Sequence, residues 1–281
     1  MYLSVLGHPT YCYTGGKPFY AAKPTVVFIH GVLNDHSVWI LQTRYLAHHG
    51  FNVLAVDLPG HGRSAGPQRD IEPCRTVESA ADFIIALLDA AGVQTAALVG
   101  HSFGSLIALE AAARAPHRIS HLAMVGTAFP MPVSPALLET SLNQPMKAID
   151  MVNTLSHSML APPPSTLGPG TWVYGGSKAL MRRVQASNTR FNLFHTGFTA
   201  CNDYKNGLSG VKHASAAMLF IVGKSDQMTP PKAVMALVNE AKAQGKDVKV
   251  VTLEAGHSLM TEAPDGVLMA LKDWLKPAAT T

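Results

Sequence analysis

Three polar residues far apart in the chain have the types and settings that nucleophilic catalysis needs. Ser102 lies in Gly100-His-Ser-Phe-Gly104, a G-x-S-x-G pattern with an apolar run before it and a helical pattern after it. That pattern forces a sharp turn from strand to helix and lifts the hydroxyl out of the fold. Glycines are required because a side chain there would meet neighbouring backbone. A hydroxyl needs a base, and the base needs a group to orient it. Asp226 in Gly223-Lys-Ser-Asp226 and His257 in Ala255-Gly-His257 each follow a later apolar run. His257 would then take the Ser102 proton while Asp226 holds the imidazole in one tautomer. His30-Gly31-Val32 supplies a fourth part. Gly31 lets the backbone pass close to the serine turn, so the Val32 and Phe103 amides can hold a developing oxyanion.

These residues need elements to bring them together. Short apolar runs at 25–30, 52–57, 96–100, 121–126, 217–222 and 248–253 read as strands buried on both faces. Helical patterns at 77–91, 103–115, 230–243 and 264–276 alternate with them. The expected architecture is α/β: a doubly wound, mostly parallel sheet, with residues 1–14 as an antiparallel hairpin at its edge. Ser102, Asp226 and His257 then all fall at carboxyl ends of strands, the rim where such sheets place ligands. Residues 127–210 lack a buried strand. Their prolines (Pro130, Pro132, Pro135, Pro162–Pro164, Pro169) and Met-, Leu- and Phe-rich helical pieces predict a cap inserted into a core of residues 1–126 and 211–281. The tail at 277–281 is expected to fray.

Together, His30-Gly31, the Asp57-Leu-Pro-Gly-His-Gly-Arg-Ser64 segment, Gly100 to Gly104, Gly223 to Asp226 and Ala255 to His257 resemble the α/β-hydrolase superfamily. The resemblance runs along nearly the whole chain apart from the cap. It implies Ser102 as nucleophile, Asp226 as acid, His257 as base and the Val32 and Phe103 amides as oxyanion donors. Epoxide hydrolases and haloalkane dehalogenases of this superfamily carry an aspartate where this chain has Ser102. The segment 125–129, an alternative position for the acid in some members, holds no carboxylate, which leaves Asp226. One glycine after His30, instead of a glycine run, resembles cofactor-free, capped hydrolases of small substrates. Residues 32–39 are expected to line the pocket, and Gly31, Leu33, Trp39 and Met131 to touch substrate, with Trp39 as an apolar wall. The implied activity is ester hydrolysis by a serine hydrolase. Carbon–carbon, lactone or amide hydrolysis, perhydrolysis, and a weakly catalytic ligand receptor are the alternatives.

Composition narrows the remaining classes. Hydrophobic residues make up 47% of the 281 and charged residues only 14%, which excludes disorder and coiled coil. A net charge of +4 with scattered basic residues gives no stripe for nucleic acid. No apolar run is long enough for a membrane span, and the N-terminus lacks signal-peptide character. Cys12, Cys74 and Cys201 are too widely spaced for a metal or disulfide framework, which suits reduced thiols in the cytoplasm. His36, His48, His49 and His195 have no carboxylate or cysteine at ligand spacing, so no metal is expected. Asp57 reads as part of a structural turn, and His30 and His101 as fixed hydrogen-bonding groups under the site. The expected partner is a small-molecule substrate; the sequence encodes no oligomeric state.

Overall fold

The computed structural model describes residues 1–20, 22–65, 71–159 and 172–275. The prolines at 162–164 and 169 and the tail at 277–281 lie outside the described residues. Eight strands form one sheet: β1 (Tyr2–Val5), β2 (His8–Tyr13), β3 (Thr25–Ile29), β4 (Asn52–Val56), β5 (Ala96–His101), β6 (Ile119–Val125), β7 (Ala217–Gly223) and β8 (Val248–Leu253). Their spatial order is β1-β2-β4-β3-β5-β6-β7-β8. The hairpin β1–β2 joins β4 antiparallel, and β4 through β8 pair in parallel. All six expected buried runs became strands. β8, at the edge, is half-exposed along its length instead of covered on both faces.

The sheet's two faces separate along each strand with period two, because successive side chains point to opposite sides. Val27, Ile29, Leu54, Val56, Leu98, Met124 and Phe220 enter one core, with α2 (Val77–Ala90), α3 (Phe103–Arg114), α8 (Gly207–His213) and α9 (Met235–Ala243). Val26, Phe28, Val53, Ala55, Val99, Val125 and Ile221 enter the other, with α1 (Ile40–His48), α10 (Leu259–Glu262) and α11 (Pro264–Trp274). α2 starts on a capping box, with Thr76 Oγ1 accepting from the Ser79 amide at 3.1 Å while the Thr76 amide donates to Ser79 Oγ.

Between β6 and β7 the chain forms α4 (Pro135–Asn143), α5 (Pro145–Ser156), α6 (Val173–Ser187) and α7 (Leu193–Asp203), followed by α8. No strand occurs there among the described residues. Ile149, Val152, Met181, Val184, Phe194 and Phe198 of these helices close over Leu33, giving a third apolar cluster above the sheet's rim. α8 packs on α3 and α9, so the boundary expected at residue 210 cuts through a helix that sits against the sheet layer.

α1 was not expected from the sequence. It buries Gln42 and Thr43 beside Leu46 and Ala47 on its inner face, while Ile40 and Leu41 in its first turn are exposed by 37% and 50%. Gln42 Nε2 donates to the Pro264 carbonyl at 3.2 Å and Thr43 Oγ1 to the Trp39 carbonyl at 2.8 Å, while Gln42 Oε1 is buried with no hydrogen-bond partner among the described residues.

Candidate active site

β5 ends directly beneath Ser102, and α3 begins directly after it. Ser102 has φ +53° and ψ −119°, a conformation side-chain-bearing residues seldom adopt. Its amide donates to the Val125 carbonyl at 3.0 Å, which pins the turn to β6. A Cβ on Gly100 would strike the Gly104 carbonyl, and one on Gly104 would lie 2.6 Å from the His30 oxygen. Both glycines of the motif are therefore steric requirements of the turn.

His257 and Asp226 meet at the ends of β8 and β7. The His257 Nδ1–H donates to Asp226 Oδ2 at 2.9 Å, with the His257 side chain 9% and the Asp226 side chain 0% exposed. Asp226 also accepts from the Met228 and Thr229 amides, each at 2.8 Å, and from Thr229 Oγ1 at 2.7 Å. Burial pushes the Asp226 carboxyl up. The His257 charge and the bonds from His257 and Thr229 outweigh that effect and hold it below the ordinary carboxylate range. A carboxylate on Nδ1 leaves the His257 Nε2 lone pair to take a proton.

Ser102 and His257 line one cavity of about 40 Å³, together with Val32, Val152, Met181, Phe198 and Met228. No hydrogen bond joins Ser102 Oγ to His257 across it. The cavity adjoins a vestibule of about 590 Å³ walled by Ile40, Leu41, Trp172, Leu180, Met260 and the guanidinium of Arg183. Asn34, His101, Ser177 and Ser258 line both. Gly31 is hemmed in, since a Cβ there would lie 2.9 Å from His101 Nδ1 and 3.2 Å from Ser102 Cβ. Val32 follows immediately, and neither its amide nor that of Phe103 makes a hydrogen bond to a described residue.

None of the four expected substrate contacts, Gly31, Leu33, Trp39 and Met131, borders the two cavities. Trp39 is fully buried, its ring 5.2 Å from Phe28 and 6.5 Å from His101, so it backs the site without walling the pocket. Leu33, at φ +55°, is fully buried in the third apolar cluster, and Met131 is buried in the first core. Neither borders the two cavities. Of the Met, Trp and Phe residues in the inserted helices, Trp172, Met181 and Phe198 do border them. Val152 and the exposed face of α1 were missed, because no chemical signal in the sequence marks them.

His36 is also corrected. Its Nδ1 lies 2.8 Å from Asp57 Oδ1, and Asp35, His36 and Asp57 offer ligand atoms within 4.8 Å of one another. Asp57 already accepts from the His36 and Arg63 amides, and Asp35 from Ser37 and from Arg183 at 3.0 Å. These bonds support the turn role expected of Asp57. The three cysteines are buried and unpaired, and burial raises all their thiols, those of Cys12 and Cys201 to about 12, so none is a ready nucleophile.

Under the site, His101 Nε2 donates to the His257 carbonyl at 2.9 Å. Burial, then the neighbouring His257, lowers the His101 pKa to about 3; burial, then His30, lowers His61 to about 3. Unfolded histidine takes its proton near pH 6.5, so the unfolded state binds more protons from there down to about pH 3. Stability is therefore expected to fall with pH across that window, by up to about 1.4 kcal/mol per pH unit for each histidine. The Asp226 contribution, present above the ordinary carboxylate pKa, is lost only as pH drops through its lower folded value. Urea unfolding at pH 7, 6, 5 and 4 measures the slope, and His61→Gln should remove about one proton from it.

The chain matches the alpha/beta hydrolase fold family over residues 24–264 and belongs to that family. It is 37% identical over 101 residues to a dihydrolipoyllysine-residue acetyltransferase component of the acetoin cleaving system from Cupriavidus necator, covering 36% of this chain and 26% of that protein. It is 36% identical over 97 residues to an epoxide hydrolase from Caballeronia sordidicola, covering 34% of this chain and 29% of that one. The matched stretches thus span about a quarter of the relatives' length. An esterase from Exiguobacterium antarcticum shares the fold with a TM-score of 0.79 at 16% identity, covering 98% of this chain and 99% of the esterase. The enol-lactonase from Burkholderia xenovorans LB400 shares it with a TM-score of 0.77 at 20% identity, at the same coverage. Among the described residues no helix is long and apolar enough to cross a membrane.

Proposed function

We propose that this hydrolase-family chain is a serine hydrolase that cleaves esters of small to medium, rather apolar substrates through an acyl-enzyme. Ser102 Oγ attacks the ester carbonyl while His257 Nε2 takes its proton, and the amides of Val32 and Phe103 receive the oxyanion. His257 then gives the proton to the departing alcohol. Water, deprotonated by the same imidazole, releases the acid and restores Ser102. Asp226 holds the ring throughout and stabilises the imidazolium. The observation carrying this reading is the buried Asp226–His257 pair opening on the cavity that Ser102 lines. Closing the gap between Ser102 and His257 is then a step of substrate binding.

Residues 127–210 act in this reading as the cap, their helices α5 to α7 covering Ser102. The buried, unpaired cysteines support a reducing compartment such as the cytoplasm. Release of p-nitrophenol from short-chain esters, with fluorophosphonate labelling of Ser102, tests the assignment. Fast turnover of a lactone, an amide or a carbon–carbon substrate beside negligible ester turnover would move the chemistry to that class. Absence of labelling would favour a receptor.

The inner cavity, at about 40 Å³, is far smaller than the vestibule. Acetyl and propionyl esters are therefore expected to react faster than hexanoyl esters. Met181→Ala should shift that preference toward the longer chain by about tenfold in kcat/KM, measured over an acyl series.

A further inference from the structure

The loop carrying His257 is held from two sides, and one of them is the inserted helices. His257 and Ser258 both donate their amides to the carbonyl of Ser156, the last residue of α5, at 2.8 and 3.0 Å. Helix-end carbonyls have no partner within the helix, so these two bonds satisfy an acceptor that would otherwise stay bare. Glu262 makes the second tie. Its Oε2 accepts from the Gly256 amide at 2.7 Å, and its Oε1 accepts from the amide and the hydroxyl of Ser158, both at 2.7 Å. One carboxylate thus grips the residue before His257 and the second residue past α5. The fit is close: a Cβ on Gly256 would lie 2.7 Å from the Ser158 amide and 2.9 Å from Glu262 Oε2. Bonds from amides to an ionised carboxylate are stronger than neutral ones, which suits a clamp at a half-exposed position.

We propose that Glu262 is a positioning residue that fastens the His257 loop to the end of α5, so that the base is set only when the inserted helices are seated. This rests on His257 being the base, and it extends that reading to a residue that touches neither Ser102 nor the cavity. A seated α5 also carries Val152 and Ser156 into the cavity wall. Substrate engaging that wall and the placement of the imidazole are therefore mechanically one event.

The test uses Glu262→Ala, Glu262→Gln and the milder Ser158→Ala in the full chain. Readouts are p-nitrophenyl acetate kinetics, the rate of fluorophosphonate reaction at Ser102, and hydrogen exchange. Glu262→Ala is expected to lower kcat and the phosphonylation rate 10- to 100-fold with KM within twofold. Exchange at residues 254–258 and 156–158 should rise at least tenfold while β5 and β6 keep their protection. Glu262→Gln keeps one accepting oxygen and should recover part of the loss. Ser158→Ala, which removes a single bond at an exposed position, should lower kcat about threefold. Wild-type kcat and exchange in Glu262→Ala would overturn the proposal, and so would losses that only track the unfolded fraction. If Glu262→Ala does not fold, unchanged kcat in Ser158→Ala overturns it. No phosphonylation of the wild-type Ser102 would overturn the serine-hydrolase reading itself, a result separate from any difference between variants.

Discussion

Ser102→Ala is expected to lower kcat on p-nitrophenyl acetate by at least about 10⁴-fold while leaving the melting temperature nearly unchanged. In the proposed mechanism this substitution leaves only binding and the oxyanion amides, and comparable deletions in serine hydrolases leave residual catalysis of that order. Alanine keeps the Cβ and so keeps the strain of φ +53°. Ser102→Gly separates the two effects. It should be equally inactive, yet more stable by about 1 kcal/mol, because glycine adopts that conformation without cost and strained backbone positions store about 1–3 kcal/mol. Differential scanning calorimetry beside ester kinetics checks both. A glycine variant that melts lower than wild type would show that the turn is not strained, and retained turnover in either variant would remove Ser102 from the chemistry.

Asp226→Asn is expected to cost about 10⁴-fold in kcat with KM changed only a few-fold. The amide has nearly the shape of the carboxylate but presents either N–H or C=O to His257 Nδ1. With the Met228 and Thr229 amides both donating to Oδ1, the carbonyl is held there and the NH₂ takes the Oδ2 place, facing the imidazole and Thr229 Oγ1. That arrangement favours the tautomer with its proton on Nε2, which cannot accept from Ser102. Ester kinetics at saturating substrate provide the measurement. Loss confined to KM would mean that Asp226 shapes the pocket and leaves the base alone.

The parts of the site that chemistry dictates were legible in the sequence. The serine turn needs two glycines, a base needs a partner, and each follows an apolar run that can only be a buried strand. Those constraints single out Ser102, Asp226 and His257 as candidates before any coordinates. The strands of both core layers were legible for the same reason, since alternate residues from 25–29 and 96–100 enter opposite cores. The pocket wall was not legible. Trp39 is aromatic and close in sequence to Gly31, yet the start of α1 turns its ring inward against Phe28. His36 meets Asp57 across 21 residues because β3 and β4 are neighbours, a pairing that spacing along the chain cannot express. Nor could α1 be found by its period, because Ile40 and Leu41 face the vestibule while Gln42 and Thr43 are buried beside Leu46 and Ala47.

The outward-facing first turn of α1 sets a trade-off for anyone altering the molecule. Ile40 and Leu41 are the first substitutions a search for better soluble yield would make, since greasy side chains in water promote self-association. Exchanging them for charged residues would trade stickiness for a wetter doorway. Apolar guests would pay desolvation on the threshold, and the improved preparation would process them more slowly.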